Sequence, residues 1–157
     1  MIVVCDTTPI NYLLQIDLID LIPRLWGKAF LPPVVHGELL DRSAPQVVRA
    51  WASDLPEWIA VEHPGVIDAP ALLKLHSGES QALALAERLN ADLLVTDDKK
   101  ARNTAHARGI PTATTLLILD SAANRGWIEF ESAITKLIRT NFRVDPETVA
   151  ELVAKHS

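Results

Sequence analysis

Cysteine is almost missing from this chain of 157 residues: Cys5 is the only one, so no internal disulfide can form and a reducing compartment is the natural setting. Long apolar runs are missing too. None approaches the roughly 18 residues needed to span a bilayer. The opening Met1-Ile-Val-Val-Cys-Asp6 has neither the basic start nor the extended apolar stretch of a secretory signal. A soluble, cytoplasmic protein without a membrane partner is expected. There is no excess of positive charge; the net charge of −5 argues against a general nucleic-acid coat, though not against a site that concentrates acid among local basic residues. The six glycines are dispersed, with no phosphate-cradling or dinucleotide-binding loop. His36, His63, His76, His106 and His156 are scattered without zinc-like spacing, and His76 reads as a surface or packing residue despite standing three before Glu79.

What the chain does have is 48% hydrophobic residues arranged as alternating strand-like and helix-like segments, enough for one well-buried core. Residues 2–5 read as a buried strand, and Thr7-Thr8-Pro9 as a helix start with a hydroxyl cap. A helical stretch around 17–26, broken at Pro23, precedes a short strand at 29–31, and Pro32-Pro33 opens another helix. Residues 45–53 read as helix, 58–62 as strand and 68–76 as a short helix. The clearest helix is 77–90, capped by Ser77, with Ala82, Leu83, Leu85, Ala86 and Leu89 on one face. Then come a strand at 93–96, a helix at 98–108, a strand at 110–113 and helices at 115–125, 130–140 and 146–155. This alternation predicts a mostly parallel α/β sheet covered on both faces, in one domain spanning 1–157 with a core of about 1–120 and a helical extension of about 121–157.

Two of the strands end in carboxylates, at Asp6 and at Asp97-Asp98, and Glu79 opens a helix. Strand ends and the helix starts that follow share one edge of a parallel sheet, where ligands bind. Each acid has a simpler reading. Asp6 could cap a helix, Glu79 could complement a helix dipole, one of Asp97 and Asp98 could cap the next helix, and Glu38 could face solvent. Glu38 is nevertheless flanked by Val34, Val35, Leu39 and Leu40, which could turn it toward the sheet edge. Acids gathered at one edge repel each other and lose hydration, and a hard divalent cation is the usual compensation. One ion or two fit such a set, and a metal-dependent reaction on a phosphate-bearing substrate is the leading expectation.

Asp6-Thr7-Thr8 after the first strand, Glu38 on an early helix, Gly78-Glu79 opening GESQALALAERL, and the strand LLVTDDKKAR together resemble the PIN-domain family, most closely its VapC-type toxin proteins. The ordered pattern covers residues 2–120, and the tail NFRVDPETVAELV is similar to the ending of one PIN-like subgroup. The resemblance implies a three-layer α/β/α sandwich with a central parallel sheet, and a Mg2+- or Mn2+-dependent endoribonuclease. It implies an acidic quartet at Asp6, Glu38, Glu79 and Asp97, with Thr8 and Thr96 as supporting hydroxyls. Glu79 stands where many members have Asp, and the fourth acid is doubled, so Asp97 and Asp98 compete as metal ligands. Lys99, Lys100 and Arg102 become contacts for the RNA backbone, and a cognate antitoxin becomes the expected protein partner.

Two rivals stand beside this reading: a PIN-like module that binds protein or RNA without catalysis, and a phosphoacceptor receiver domain, which also gathers acids at a sheet edge. Trp26, Trp51, Trp58 and Trp127 read as core or interface anchors rather than base-stacking platforms. The apolar positions Leu116, Leu117, Ile118, Leu119, Trp127, Phe130, Ile134, Leu137 and Ile138 exceed what a small sheet obviously needs, which predicts a symmetric homodimer.

Overall fold

The computed structural model describes residues 1–67, 72 and 74–157. Its centre is a five-stranded parallel sheet in the order β3-β2-β1-β4-β5, built from β1 (Val3–Cys5), β2 (Ala29–Leu31), β3 (Ile59–Val61), β4 (Leu93–Val95) and β5 (Thr112–Ala113). Among the described residues nine helices connect and cover the strands: α1 (Thr7–Gln15), α2 (Leu21–Trp26), α3 (Pro33–Leu40), α4 (Gln46–Ser53), α5 (Ser77–Arg88), α6 (Lys99–Ala107), α7 (Thr115–Asn124), α8 (Phe130–Ile138) and α9 (Pro146–Lys155). The architecture is the three-layer α/β/α sandwich.

Alternation along β1 assigns the layers. Val3 and Cys5 point into a cluster with Ile10, Leu13, Ile22, Val35, Leu39, Ile118 and Leu137, while Val4 points into a second cluster with Leu83, Leu85, Leu94 and Ala105. A strand with both faces buried needs uninterrupted apolar residues, as β1 has. Burial and the neighbouring Asp6 charge push the Cys5 thiol up to about 12, so it is an inert packing residue. The four tryptophans all pack partly buried against the first cluster.

Register places the carboxyl ends level. Cys5 lies opposite Val95, and Val95 opposite Ala113. The chain builds outward from β1 to β2 and β3, then returns to lay β4 against the other side of β1. The reversal between β1 and β4 opens a crevice at their carboxyl ends. A receiver domain has the order 2-1-3-4-5, so the order here excludes that rival.

Several local expectations are corrected. The cap of α1 is the Asp6 carboxylate, which accepts from the Thr7 amide, rather than a hydroxyl. Ser77 is the first residue of α5 rather than its cap; His76 holds the cap position without a side-chain bond. Pro23 does not break a helix, because it sits in the first turn of α2, where no intrahelical amide is needed. The short helix expected at 68–76 falls largely outside the described residues. The apolar excess of residues 116–138 is mostly internal: Ile118, Leu119, Phe130, Ile134 and Leu137 are buried in the first cluster, leaving Leu117 (46% exposed) and Ile138 (53%) outside. No described helix is long and apolar enough to cross a membrane.

Candidate active site

Asp6 follows β1 directly, and its position as the α1 cap fixes its side chain over the crevice. Oδ1 accepts from the Thr7 amide (2.8 Å) and Oδ2 from the Thr96 hydroxyl (3.0 Å), so the residue ending β4 orients the acid ending β1. The carboxyl is 5% exposed. Burial raises it to about 7, the Thr7 and Thr96 hydrogen bonds oppose that, and the charges of Glu79 and Glu38 add to it.

Glu38 reaches the same place from α3. Its Oε2 accepts from the Thr7 hydroxyl (2.6 Å), so Thr7 serves two acids at once, with its amide on Asp6 and its hydroxyl on Glu38. The open question about the facing of Glu38 is answered toward the sheet edge. Gly78, in the first turn of α5, makes this approach possible: a Cβ there would lie 2.6 Å from Glu38 Oε1. Next to it, Glu79 is 19% exposed, and its Oε2 is buried without a hydrogen-bond partner among the described residues. His76 Nδ1 lies 3.2 Å from that oxygen and 3.9 Å from Glu38 Oε1, in ion-pair range without hydrogen-bond geometry. Sequence reasoning assigned His76 to surface or packing; its spacing of three before Glu79 was the available signal.

Asp97, one residue beyond Thr96, lies further along the edge. Its Oδ1 accepts from the Thr115 amide (2.7 Å) and its Oδ2 from the Thr115 hydroxyl (2.6 Å). Burial raises its carboxyl, against those two bonds and the Arg102 charge. Thr115 was not singled out in the sequence, although it follows β5 as Thr7 follows the first acid. Asp98 behaves differently: its Oδ1 accepts from the Ala101 amide (2.8 Å) as the cap of α6. The two neighbours thus divide the roles that the sequence left open between them.

The remaining expected residues separate. Thr96 bonds Asp6, whereas Thr8 lines a cavity beside Asp97, so Thr7 rather than Thr8 holds the early acids. Lys99 is exposed at the start of α6, and Lys100 donates to the Lys74 carbonyl (3.1 Å). Arg102 turns toward Asp97 and the same cavity, with its Nε buried and unpaired among the described residues.

Asp6 and Glu38 are thus linked through Thr7, the Glu79 charge reaches Asp6, and Asp97 follows Thr96 along the same edge. Among the described residues, no group of three or more His, Cys, Asp or Glu side chains is placed so that it could hold a metal ion between them. The chemistry of the set still fits a hard cation. All its donors are oxygens, one of them an orphaned buried carboxylate atom, and Mg2+ takes one or two carboxylates directly while keeping several waters. A family model described as PIN domain matches residues 2–157. No curated protein and no solved structure matches the chain.

Proposed function

Because the chain belongs to the PIN-domain family, we propose that it is a divalent-metal-dependent endoribonuclease, the toxin of a cytoplasmic toxin–antitoxin pair. The PIN domain is a nuclease fold, and its members generally use divalent metal ions. The observation that carries the reading is the gathering of Asp6, Glu38 and Glu79 at one edge: burial, with the Glu79 and Glu38 charges adding to it, raises the Asp6 carboxyl to about 7, and a buried Glu79 oxygen has no hydrogen bond among the described residues, with only His76 in ion-pair range. A fold selected for stability alone has no reason to keep that arrangement.

In this reading Asp6, Glu38, Glu79 and Asp97 hold one or two Mg2+ or Mn2+ ions. Asp97 is preferred to Asp98 because burial raises its carboxyl, whereas Asp98 caps α6 partly open to water. When bound, the metal neutralises charge on the phosphodiester and makes water a better nucleophile. The chain's own residues fix the acids: Thr7 and Thr96 orient Asp6, Thr7 orients Glu38, and Thr115 orients Asp97. Exposed Lys99, with Lys100 beside it, offers cations to the RNA backbone at the start of α6. The toxin role rests on the likeness of the ordered pattern Asp6-Thr7-Thr8, Glu38, GESQALALAERL and LLVTDDKKAR to VapC-type proteins. Its check is whether an adjacent reading frame encodes a product that binds this chain and blocks cleavage.

The deciding experiment is cleavage of a defined RNA with and without Mg2+ by wild type, Asp6→Asn and Glu79→Gln. Metal-dependent cleavage by wild type, lost by orders of magnitude in both variants, is expected. Equal cleavage by all three ends the nuclease reading. The absence of a group placed to hold a metal ion among the described residues favours one rival, a module that binds without catalysis; calorimetric titration with Mg2+ separates the two, since only the nuclease requires binding.

A further inference from the structure

The loop between α8 and α9 returns across the sheet edge and walls a cavity of about 520 Å³ against Asp97. That volume is in the range of small-molecule sites. Neither the acidic set nor the backbone-binding lysines account for it.

Its lining is specific. Tyr12 from α1 and Phe142 from the loop meet edge to face, with ring centroids 5.0 Å apart. The Tyr12 hydroxyl donates to Asn141 Oδ1 (3.1 Å), which leaves the two amide hydrogens of Asn141 free among the described residues. Two guanidinium groups border the same space. Arg102 has a buried, unpaired Nε, and Arg143 makes no hydrogen bond or ion pair among the described residues. Neither acid of the lining hydrogen-bonds these guanidinium groups: Asp97 accepts from Thr115 and feels Arg102 through its charge alone, and Asp145 accepts from the Glu147 amide and the Thr148 hydroxyl.

The cavity thus combines an aromatic surface, an amide donor pair and two planar cations, Arg102 with a buried unpaired Nε and Arg143 open to solvent. An aromatic surface takes the face of a base, amide hydrogens meet base carbonyl or ring-nitrogen acceptors, and guanidinium groups pair with phosphate oxygens. The geometry points to a nucleotide subsite, in which Arg102 and Arg143 hold a phosphate, Tyr12 and Phe142 pack against its base, and Asn141 reads the base edge. The choice of a ribonucleotide rests on the nuclease reading; the place and the chemistry rest on the cavity. The subsite binds the nucleotide beside the phosphate that is cut, because Asp97 belongs both to the cavity and to the acidic edge. The C-terminal segment then sets sequence preference, while the strand-end acids carry hydrolysis.

The test is titration of the full chain with CMP, UMP, AMP and GMP, followed by NMR or calorimetry without divalent metal, alongside cleavage mapping on a mixed-sequence RNA. At least one nucleotide should bind below millimolar concentration, more tightly than its nucleoside or inorganic phosphate. Arg143→Gln and Phe142→Leu should each weaken binding at least about tenfold, and Asn141→Asp should alter the order of preference among the four bases. Far-ultraviolet circular dichroism and melting temperature identify any variant that fails to fold, and Arg143→Gln, at a surface position without partners, is the least disruptive. Asp6→Asn should bind the nucleotide normally. No binding of any of the four, or binding indifferent to both Arg143→Gln and Phe142→Leu, overturns the subsite even if RNA is cut. Nucleotide binding that depends on these residues in a chain that cuts no RNA upholds the subsite and sinks the nuclease reading instead.

Discussion

Replacing Asp6 by Asn should stabilise the metal-free protein, by an amount that grows as pH rises from about 5 to about 7. A carboxyl held at about 7 in the fold and at 3.8 when unfolded binds its proton more tightly in the native state. Native stability therefore falls as pH rises from about 4 to about 7, and the deficit persists above that. At 1.36 kcal/mol per pH unit the gap corresponds to about 4 kcal/mol. The substitution does not recover all of it. One oxygen still accepts from the Thr7 amide, but the new amide group meets the Thr96 hydroxyl, which already accepts from the Asp98 amide (3.3 Å). Reversing that hydrogen bond costs about 1–2 kcal/mol. A net gain of about 2 kcal/mol remains at pH 8, or about 4–8 °C in Tm for a chain of this size. At pH 5 wild-type Asp6 is already protonated, and the gain should vanish. Thermal unfolding in EDTA at the two pH values reads this directly. Adding Mg2+ at a hundred times its Kd should then raise the wild type by about 2.7 kcal/mol, and the variant much less. A variant that melts no higher than wild type at pH 8, or by the same margin at pH 5, refutes the claim that Asp6 is a strained carboxylate.

Gly78→Ala improves helix propensity by about 1 kcal/mol in general, yet its Cβ would press on Glu38 Oε1. RNA cleavage and Mg2+ affinity should fall at least about tenfold with little change in Tm; unchanged affinity would mean that Glu38 is not a ligand. Asp98→Ala should cost about 1 kcal/mol of stability through the lost α6 cap and leave metal binding alone, whereas Asp97→Asn should do the reverse in a calorimetric titration. Burial tends to raise the Asp120 carboxyl, but bonds from Lys155 and His156, with their charges, prevail and lower it. The stability this gives is present above the unfolded value near 3.8 and is lost as pH falls through the lower folded value. Asp120→Asn should therefore loosen α9 at pH 7, seen as faster amide exchange in 146–155, and flatten the acid limb of the stability curve.

The sheet was legible because it rests on a local pattern. Short apolar runs at 2–5, 29–31 and 93–96 and an apolar helix face from Ala82 to Leu89 specify elements whatever their neighbours. The acids were legible by position, since a carboxylate ending a strand of a parallel sheet has few other places to lie. Contacts made across long separations were not. Glu38 meets Thr7 across 31 positions and Tyr12 meets Asn141 across 129; no periodicity encodes either. The apolar wealth of 116–138 was read as an external face because propensity cannot distinguish a helix that covers the sheet from one that covers another helix. Arg102 was read with its lysine neighbours as one basic run. On α6, Lys99 and Arg102 are three apart and share a face, whereas Lys100 lies on another and donates to the Lys74 carbonyl, a division that adjacency in sequence does not display.

Capping and metal ligation looked like competing explanations for each acid, but a cap bond does not use up a carboxylate's acceptor sites. Asp6 does cap α1, yet a carboxylate has about four lone-pair sites and the Thr7 and Thr96 bonds use two. Asp98 caps α6 with as good a bond. The difference between them is what surrounds the cap. Asp98 is partly open to water, so its charge is solvated and nothing further is needed. Asp6 is buried beside two more carboxylates, so its cap leaves an unbalanced negative charge. A helix cap selected only for folding would shed that burden, as Asn or Ser would cap α1 as well without the repulsion. An Asp at this buried, crowded point of the edge calls for added positive charge, which a protonated His76 brings to Glu79 and Glu38 and which a bound cation would bring to Asp6. That requirement, rather than the count of acids, makes the metal reading the one to test first.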